Sequence, residues 1–162
     1  MSLLSQKTIG KKISISGVGI HTGSKVDLNI LPSSPNSGII FKRIDIKKNN
    51  IVVPNFANVT DATLCTTISN QYGTRVSTIE HLMAAFYGLG IDNAIVELNA
   101  QEIPILDGSA KLFVDLIKDA GFKISDVPIK LIKINKKIKI RDENKFISID
   151  RSNAALEIDF EI

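Results

Sequence analysis

A glutamate and a histidine stand side by side at Glu80 and His81, within the run VSTIEHLMAA of residues 76–85. These two residue types could together serve a metal-bound water. The metal makes hydroxide available near neutral pH and the carboxylate carries the proton, which is the minimum needed for hydrolysis. One histidine does not complete such a site, because a catalytic zinc takes about three protein ligands. The pair therefore indicates hydrolytic chemistry only in combination with ligands from elsewhere.

The same residues also have a purely structural interpretation. Ser77 and Glu80 match a capping box, in which two side chains satisfy free amides at a helix N-terminus. No H-E-x-x-H motif follows, since the residue one turn after His81 is Ala85, which cannot bind a metal. The local pattern on its own favours the capping box.

Apolar residues recur at helical spacing through this segment and form one stripe: Ile79, Leu82, Met83 and Phe86. Such a stripe is typical of a helix that packs one face on a core. We therefore expect a helix that begins near Ser77, leaves its first turn open, and stops near Gly88 or Gly90.

Composition limits the class of protein. The 162 residues are 44% hydrophobic, which is enough for a packed core in one domain or in one domain with part of another. No run approaches about 18 apolar residues, and no apolar segment follows the early lysines, so neither a membrane span nor a signal peptide is predicted. The expected location is the cytoplasm. The single cysteine, Cys65, cannot form an internal disulfide.

A net charge of +3 and a pI near 9.0 raise the question of nucleic-acid binding. The main basic run, residues 130–141, alternates Lys with Ile and Leu, which is typical of the solvated face of strands. A non-enzymatic α+β module that binds nucleic acid or protein is therefore the alternative function. Against it, only four of the twenty basic residues are Arg, and acidic residues interrupt them.

The expected fold class is α+β, with a sheet layered against two main helices. Alternating apolar positions predict strands over residues 8–16, 25–31, 39–43, 51–53, 64–69 and 94–98. A second helix is expected after the segment Asp107-Gly108-Ser109 and should end at Gly121, with Asp107 or Ser109 as its cap.

The pattern changes to strands alone after residue 125. We expect a first α+β domain over residues 1–125 that carries Glu80 and His81, a linker over 126–130, and the start of a second, similar domain over 131–162. The predicted strands there cover residues 131–134, 136–141, 146–149 and 156–162. Three or four strands without a covering helix bury little surface, so the second domain is expected to be incomplete.

Four motifs resemble one family when they are taken in order: residues 17–23 (GVGIHTG), 63–67 (TLCTT), 76–93 (VSTIEHLMAAFYGLGIDN) and 104–110 (PILDGSA). Together they are similar to the zinc-dependent UDP-3-O-acyl-N-acetylglucosamine deacetylases of lipid A and lipopolysaccharide biosynthesis. The resemblance runs from about Thr8 to the last residue and covers the front half of the family's usual length. It implies two similar α+β domains that pack with their helices between them and the active site at the interface.

The resemblance implies a role for each residue of the pair. His81 would be a zinc ligand, and Glu80 the general base that takes a proton from the zinc-bound water attacking the acetamide. The substrate would be a UDP-linked acylated amino sugar. The other two ligands and a further catalytic histidine would come from the missing C-terminal domain, which is the expected partner. This chain alone is therefore expected to be inactive, and zinc and iron(II) both suit the ligands.

Three more residues are expected near the substrate by resemblance. Leu64 and Cys65 match a segment that reaches the metal, although both could equally be core residues. His21, in a glycine-flanked turn, resembles a residue near the active site, and an ordinary turn histidine is an equal alternative. A competing metal site built from His21, Cys65 and His81 also remains open, because nitrogen and sulfur ligands suit zinc.

Overall fold

The computed structural model describes residues 5–153 and 157–161. The chain divides into two units, the first ending at Ile129 and the second beginning at Lys130. The first unit contains, in chain order, β1 (Ser5–Ile9), β2 (Ile13–Val18), β3 (Lys25–Pro32), β4 (Ile39–Arg43), β5 (Ile51–Val52), β6 (Val59–Asp61), β7 (Thr67–Ser69), β8 (Arg75–Val76), α1 (Glu80–Leu89), β9 (Ala94–Leu98), α2 (Lys111–Ala120) and β10 (Phe122–Pro128). Neither α-helix in the described ranges is long and apolar enough to cross a membrane.

A five-stranded sheet, in the order β2-β3-β9-β4-β5, forms the centre of this unit. Neighbouring strands are antiparallel except β4 and β9, which run parallel. Because side chains alternate between the faces of a strand, one face collects the apolar residues. One row across the sheet consists of Ile13, Ile30, Val96, Phe41 and Val52, all buried.

Both helices bury one apolar stripe in the same hydrophobic cluster as this sheet face. The fully buried or nearly buried residues are Leu82, Ala85 and Phe86 of α1 and Phe113, Ile117 and Ala120 of α2. Each large side chain removed from water contributes about 1.5–3 kcal/mol. Helix α1 ends at Gly90, whose φ of 66° is the left-handed conformation that glycine adopts without strain, and α2 ends at Gly121. Both helix ends and the α+β class are as predicted.

The N-terminal strand pairs at long range. β1 pairs antiparallel with β10, and the Gly10 N–H donates to the carbonyl oxygen of Gly121 at 2.7 Å. The single strand predicted over residues 8–16 is therefore wrong: it is two strands with different partners. Pairing with β1 also carries β10 through residues 126–128, which the sequence assigns to a linker.

A three-stranded sheet, β6-β7-β8, leads into α1. The strand predicted over residues 64–69 is shorter, since only Thr67–Ser69 pairs with β6 and β8. After β8, Ser77 continues as a parallel bridge to Glu102. The segment that enters α1 is thereby fixed by backbone bonds to the segment after β9.

The second unit contains a hairpin of β11 (Ile138–Asp142) and β12 (Lys145–Ile149), joined at Glu143, whose φ is 52°. The strand predicted over residues 131–134 is absent, and residues 157–161 are not in a strand. A strand needs a neighbour for its backbone groups, and these two segments pair with none in the described ranges. The rest of the predicted strand at 156–162 lies outside the described residues.

Candidate active site

Glu80 is the first residue of α1, but it does not form the predicted capping box. The residue before the helix is Ile79, and Thr78 has a φ of 57°, so the chain turns sharply before α1 begins. The Ser77 hydroxyl consequently donates to the carbonyl oxygen of Gln101 at 3.2 Å instead of accepting from the helix. The capping-box interpretation is wrong because the positive φ at Thr78 directs Ser77 away from the helix end.

The Glu80 carboxylate is held by a different donor. Its Oε2 accepts a hydrogen bond from the Thr66 N–H at 3.0 Å. Its Oε1 accepts none from the described residues, which leaves one oxygen open to an outside proton. A negative charge in the first turn also interacts favourably with the amides of the helix N-terminus. Glu80 is therefore fixed in place while one oxygen stays available.

His81 follows in the same turn and is half-buried. Its imidazole forms no hydrogen bond or ion pair with the part of the chain that the structure describes. A neutral imidazole can bind a metal through either ring nitrogen, provided that nitrogen is not already bonded. His81 meets this requirement.

The hydrogen bond from the Thr66 N–H places the loop that carries Leu64 and Cys65 beside Glu80. Leu64 is 82% exposed, so the alternative that it belongs to the core is wrong. Cys65 is half-buried, with its Sγ 3.7 Å from the Thr67 hydroxyl. Both residues lie on the loop that holds the Glu80 carboxylate, as a residue lining a site beside Glu80 would.

The competing metal site is not assembled. Within residues 5–153 and 157–161, no three His, Cys, Asp or Glu side chains form a group that could hold a metal ion. His21, Cys65 and His81 are therefore not a complete ligand set, and His81 stands as a single candidate ligand.

His21 lies in the exposed turn between β2 and β3, and its backbone is tied to a buried carboxylate. Glu102 is fully buried. Its Oε1 accepts from the His21 N–H at 3.1 Å and from the Thr78 hydroxyl at 2.9 Å. Its Oε2 accepts from the Thr22 N–H at 2.9 Å and from the Thr22 hydroxyl at 2.8 Å.

These donors decide the charge of Glu102. Burial alone would raise the pKa of its carboxyl, but the hydrogen bonds from His21, Thr22 and Thr78 stabilise the ionised form and hold the pKa below its usual value. Glu102 is thus an ionised carboxylate inside the protein whose four hydrogen bonds all come from the segments flanking the candidate site.

Asp107 and Ser109 have a structural role at the start of α2. The Ser109 hydroxyl accepts from the Lys111 N–H at 3.1 Å, and Asp107 in turn accepts from the Ser109 N–H and hydroxyl. Of the two caps predicted for α2, Ser109 is the one that contacts the helix.

Comparison with known proteins decides the family. The sequence profile of the family described as UDP-3-O-acyl N-acetylglycosamine deacetylase matches residues 6–162. The chain belongs to this family. All five predicted site residues lie inside the match, and membership in the deacetylase family does not favour the alternative of a nucleic-acid-binding module.

Individual relatives agree with the profile, and each is named UDP-3-O-acyl-N-acetylglucosamine deacetylase. The relative from Actinobacillus succinogenes is 44% identical over 147 residues, which is 91% of this chain and 48% of the relative. The one from Shewanella denitrificans is 45% identical with the same coverage. The one from Histophilus somni is 43% identical over 162 residues, 98% of this chain and 53% of the relative. The chain spans about half the length of these curated relatives.

Three residues beside the candidate site were not predicted from the sequence: Thr22, Thr78 and Glu102. The resemblance of residues 104–110 begins two positions after Glu102. The available signal is a carboxylate directly before an apolar run, since Ile103 and Pro104 are buried. Charged residues are rarely buried without partners, so a glutamate in such a position indicates that donors must converge on it.

Proposed function

We propose that this chain is one half of a zinc-dependent deacetylase that hydrolyses the acetamide of UDP-3-O-acyl-N-acetylglucosamine. The observation that carries the proposal is the pair in the first turn of α1, in a chain of the deacetylase family. Glu80 has one fixed and one open oxygen, and the neighbouring His81 has an imidazole without a partner in the described chain. A base next to an available ligand is what metal-assisted hydrolysis requires.

The donor set suits zinc in part. His81 is a suitable nitrogen ligand, but no group of three possible ligands occurs within the described ranges. A catalytic zinc needs about three protein ligands. The others would come from the half of the relatives that this chain does not match. When bound, zinc would polarise the amide carbonyl and lower the pKa of water at the site.

The chain's own residues would handle the proton. Glu80 Oε1 would take the proton from the attacking water while the Thr66 N–H holds Oε2, so that the base does not rotate out of line. The acetamide carbon–nitrogen bond would break as this proton passes to the nitrogen, from Glu80 directly or through the further histidine expected from the missing half. Acetate would then be released and a free amine would remain on the sugar. Leu64 and Cys65 would line the substrate pocket beside Glu80, and His21 would contact the substrate from its exposed turn.

The proposed setting is lipid A biosynthesis in the cytoplasm. The relatives are UDP-3-O-acyl-N-acetylglucosamine deacetylases by name, and that name gives the substrate class, a UDP-linked acylated amino sugar. Because the ligand set is incomplete in the described residues, we expect this chain alone to bind zinc weakly and to be inactive.

The test is a full-length chimaera. This chain would replace the matching half of the Actinobacillus succinogenes relative, and both the chimaera and the chain alone would be assayed for acetate release and zinc content. We expect activity and one zinc in the chimaera and neither in the chain alone. Glu80→Gln should lower kcat by about 100- to 10,000-fold, the usual contribution of a general base. His81→Ala should abolish zinc binding.

The matched control is Glu97→Gln, which makes the same chemical change on β9, where Glu97 pairs with Lys42 at the surface. It should leave activity unchanged. Tight binding of one zinc by the chain alone would contradict the division of ligands. An active Glu80→Gln chimaera would refute the role of Glu80 as the base.

A further inference from the structure

We propose that Glu102 is a positioning residue whose carboxylate fixes the His21 turn against the segment that enters the Glu80–His81 helix. The inference rests on the proposed function for its catalytic consequence, and its structural part is independent of that function. Glu102 itself is fully buried and contacts neither Glu80 nor His81 by a hydrogen bond.

The carboxylate joins two segments that are far apart in sequence. Each oxygen accepts two hydrogen bonds. Of these four bonds, three come from the turn at His21 and Thr22 and one comes from Thr78. Thr78 lies two residues before Glu80. The turn and the helix entry therefore share one rigid acceptor.

The helix entry needs such a fixed point. Thr78 has a φ of 57°, a region that β-branched residues rarely occupy, and its side chain is buried. Its hydroxyl bond to Glu102 and the two backbone bonds between Ser77 and the segment Gln101–Ile103 hold this conformation. Without them the chain before α1 would relax, and the direction of Glu80 would change.

The space around the carboxylate is also restricted. A Cβ added at Gly19 would lie 2.3 Å from Glu102 Oε2 and 2.6 Å from the Thr22 hydroxyl oxygen. The turn therefore packs directly on the carboxylate, and neither group can move without the other. A glutamine at position 102 has the same shape but is neutral, and its NH₂ group would replace one of the two acceptor oxygens. Two of the four donors would then face another donor.

Amide hydrogen exchange on the 162-residue chain tests the structural part. Glu102→Gln should accelerate exchange at His21 and Thr22 by at least about tenfold, since these amides lose a charged acceptor. The control Glu97→Gln should not. Unchanged exchange at both amides would overturn the proposal.

Thr78→Val keeps the side-chain shape and removes one hydroxyl. It is the second test variant, to be used if Glu102→Gln does not fold. Through the shared carboxylate it should accelerate exchange at His21, and the reciprocal variant Thr22→Val should accelerate exchange at the Thr66 amide that bonds Glu80. If each variant affects only its own segment, Glu102 does not couple them and the proposal fails.

Kinetics in the chimaera test the catalytic consequence. Misplacement of the base should lower kcat of Glu102→Gln by about 10- to 100-fold at a temperature where the variant is folded, whereas Glu97→Gln keeps the wild-type value. Faster exchange with unchanged kcat would show a purely structural residue and overturn the positioning role. An inactive wild-type chimaera would refute the proposed deacetylase function instead, and the exchange rates would then decide the coupling on their own.

Discussion

Substitution of Gly19 by alanine tests whether the buried carboxylate is rigid. The backbone at Gly19 is outside the left-handed region, so only space opposes a side chain there. The added methyl group would lie 2.3 Å from Glu102 Oε2, about 1 Å closer than a normal contact. A free glutamate could swing away, but this one is buried and accepts four hydrogen bonds.

The cost has two parts. Overpacking of a filled site costs about 1–3 kcal/mol, and loss of one hydrogen bond to a charged group costs about 1.5–3 kcal/mol. We expect Gly19→Ala to lower the free energy of unfolding by about 3–5 kcal/mol. With a urea dependence of about 2 kcal/mol per molar, the midpoint should fall by roughly 2 M.

The assay is urea unfolding followed by the helical circular dichroism signal, because the chain has no Trp and both helices lie in the first unit. Gly88→Ala is the control, since apart from its chain neighbours and its own helix backbone no atom lies within 4 Å of the added Cβ. As a helical glycine it should gain about 0.5–1 kcal/mol. A loss below about 1 kcal/mol for Gly19→Ala would refute the reasoning, because the carboxylate would then have moved freely.

Three further outcomes concern Glu102, the core of α1 and a surface ion pair. Glu102→Gln should be less stable than the wild type at neutral pH, and the difference should shrink on acidification below 4.5, the ordinary pKa of a glutamate carboxyl. The reason is that stabilisation from a lowered carboxyl pKa is lost as pH falls through the folded-state pKa. Urea unfolding at neutral pH and at about pH 3 checks this. Leu82→Ala, at a fully buried position of α1, should cost about 2–5 kcal/mol in the same unfolding assay. A double-mutant cycle on the partly exposed surface pair Lys42 and Glu97 should give a coupling of only about 0.2–1 kcal/mol, decreasing with added salt.

The parts of the fold that depend on local chemistry were predictable. β4 and β9 have the predicted bounds, since their alternating or apolar runs are short and end at turn residues. Both helices end where a glycine follows the last apolar residue. The error at residues 8–16 has a non-local cause, because β1 pairs with β10, more than a hundred residues further along the chain. No local pattern shows that pairing.

The candidate site likewise has residues that could be predicted from the sequence and residues that could not. Glu80 and His81 are adjacent in sequence, so their combination could be recognised without a structure. The capping box failed because it assumes a regular helix entry, whereas Thr78 has a positive φ. The role of Glu102 can be recognised only in the structure, where Thr22 and Thr78 donate to its carboxylate. Contacts between segments far apart in sequence leave no periodic pattern along the chain.

The proposed reaction requires an oriented base and a complete set of metal ligands. Different parts of the protein would meet these two requirements. The hydrogen bonds that would orient the proposed base, from the Thr66 N–H to Glu80 and from the Thr78 hydroxyl to Glu102, are both made within the first unit. They do not depend on whatever completes the metal site. The ligand set, by contrast, is incomplete in the described residues, since no three possible ligands come together there. The first unit should therefore hold Glu80 in its working orientation before a metal binds, so that supply of the remaining ligands, and not reorganisation around α1, limits the gain of activity.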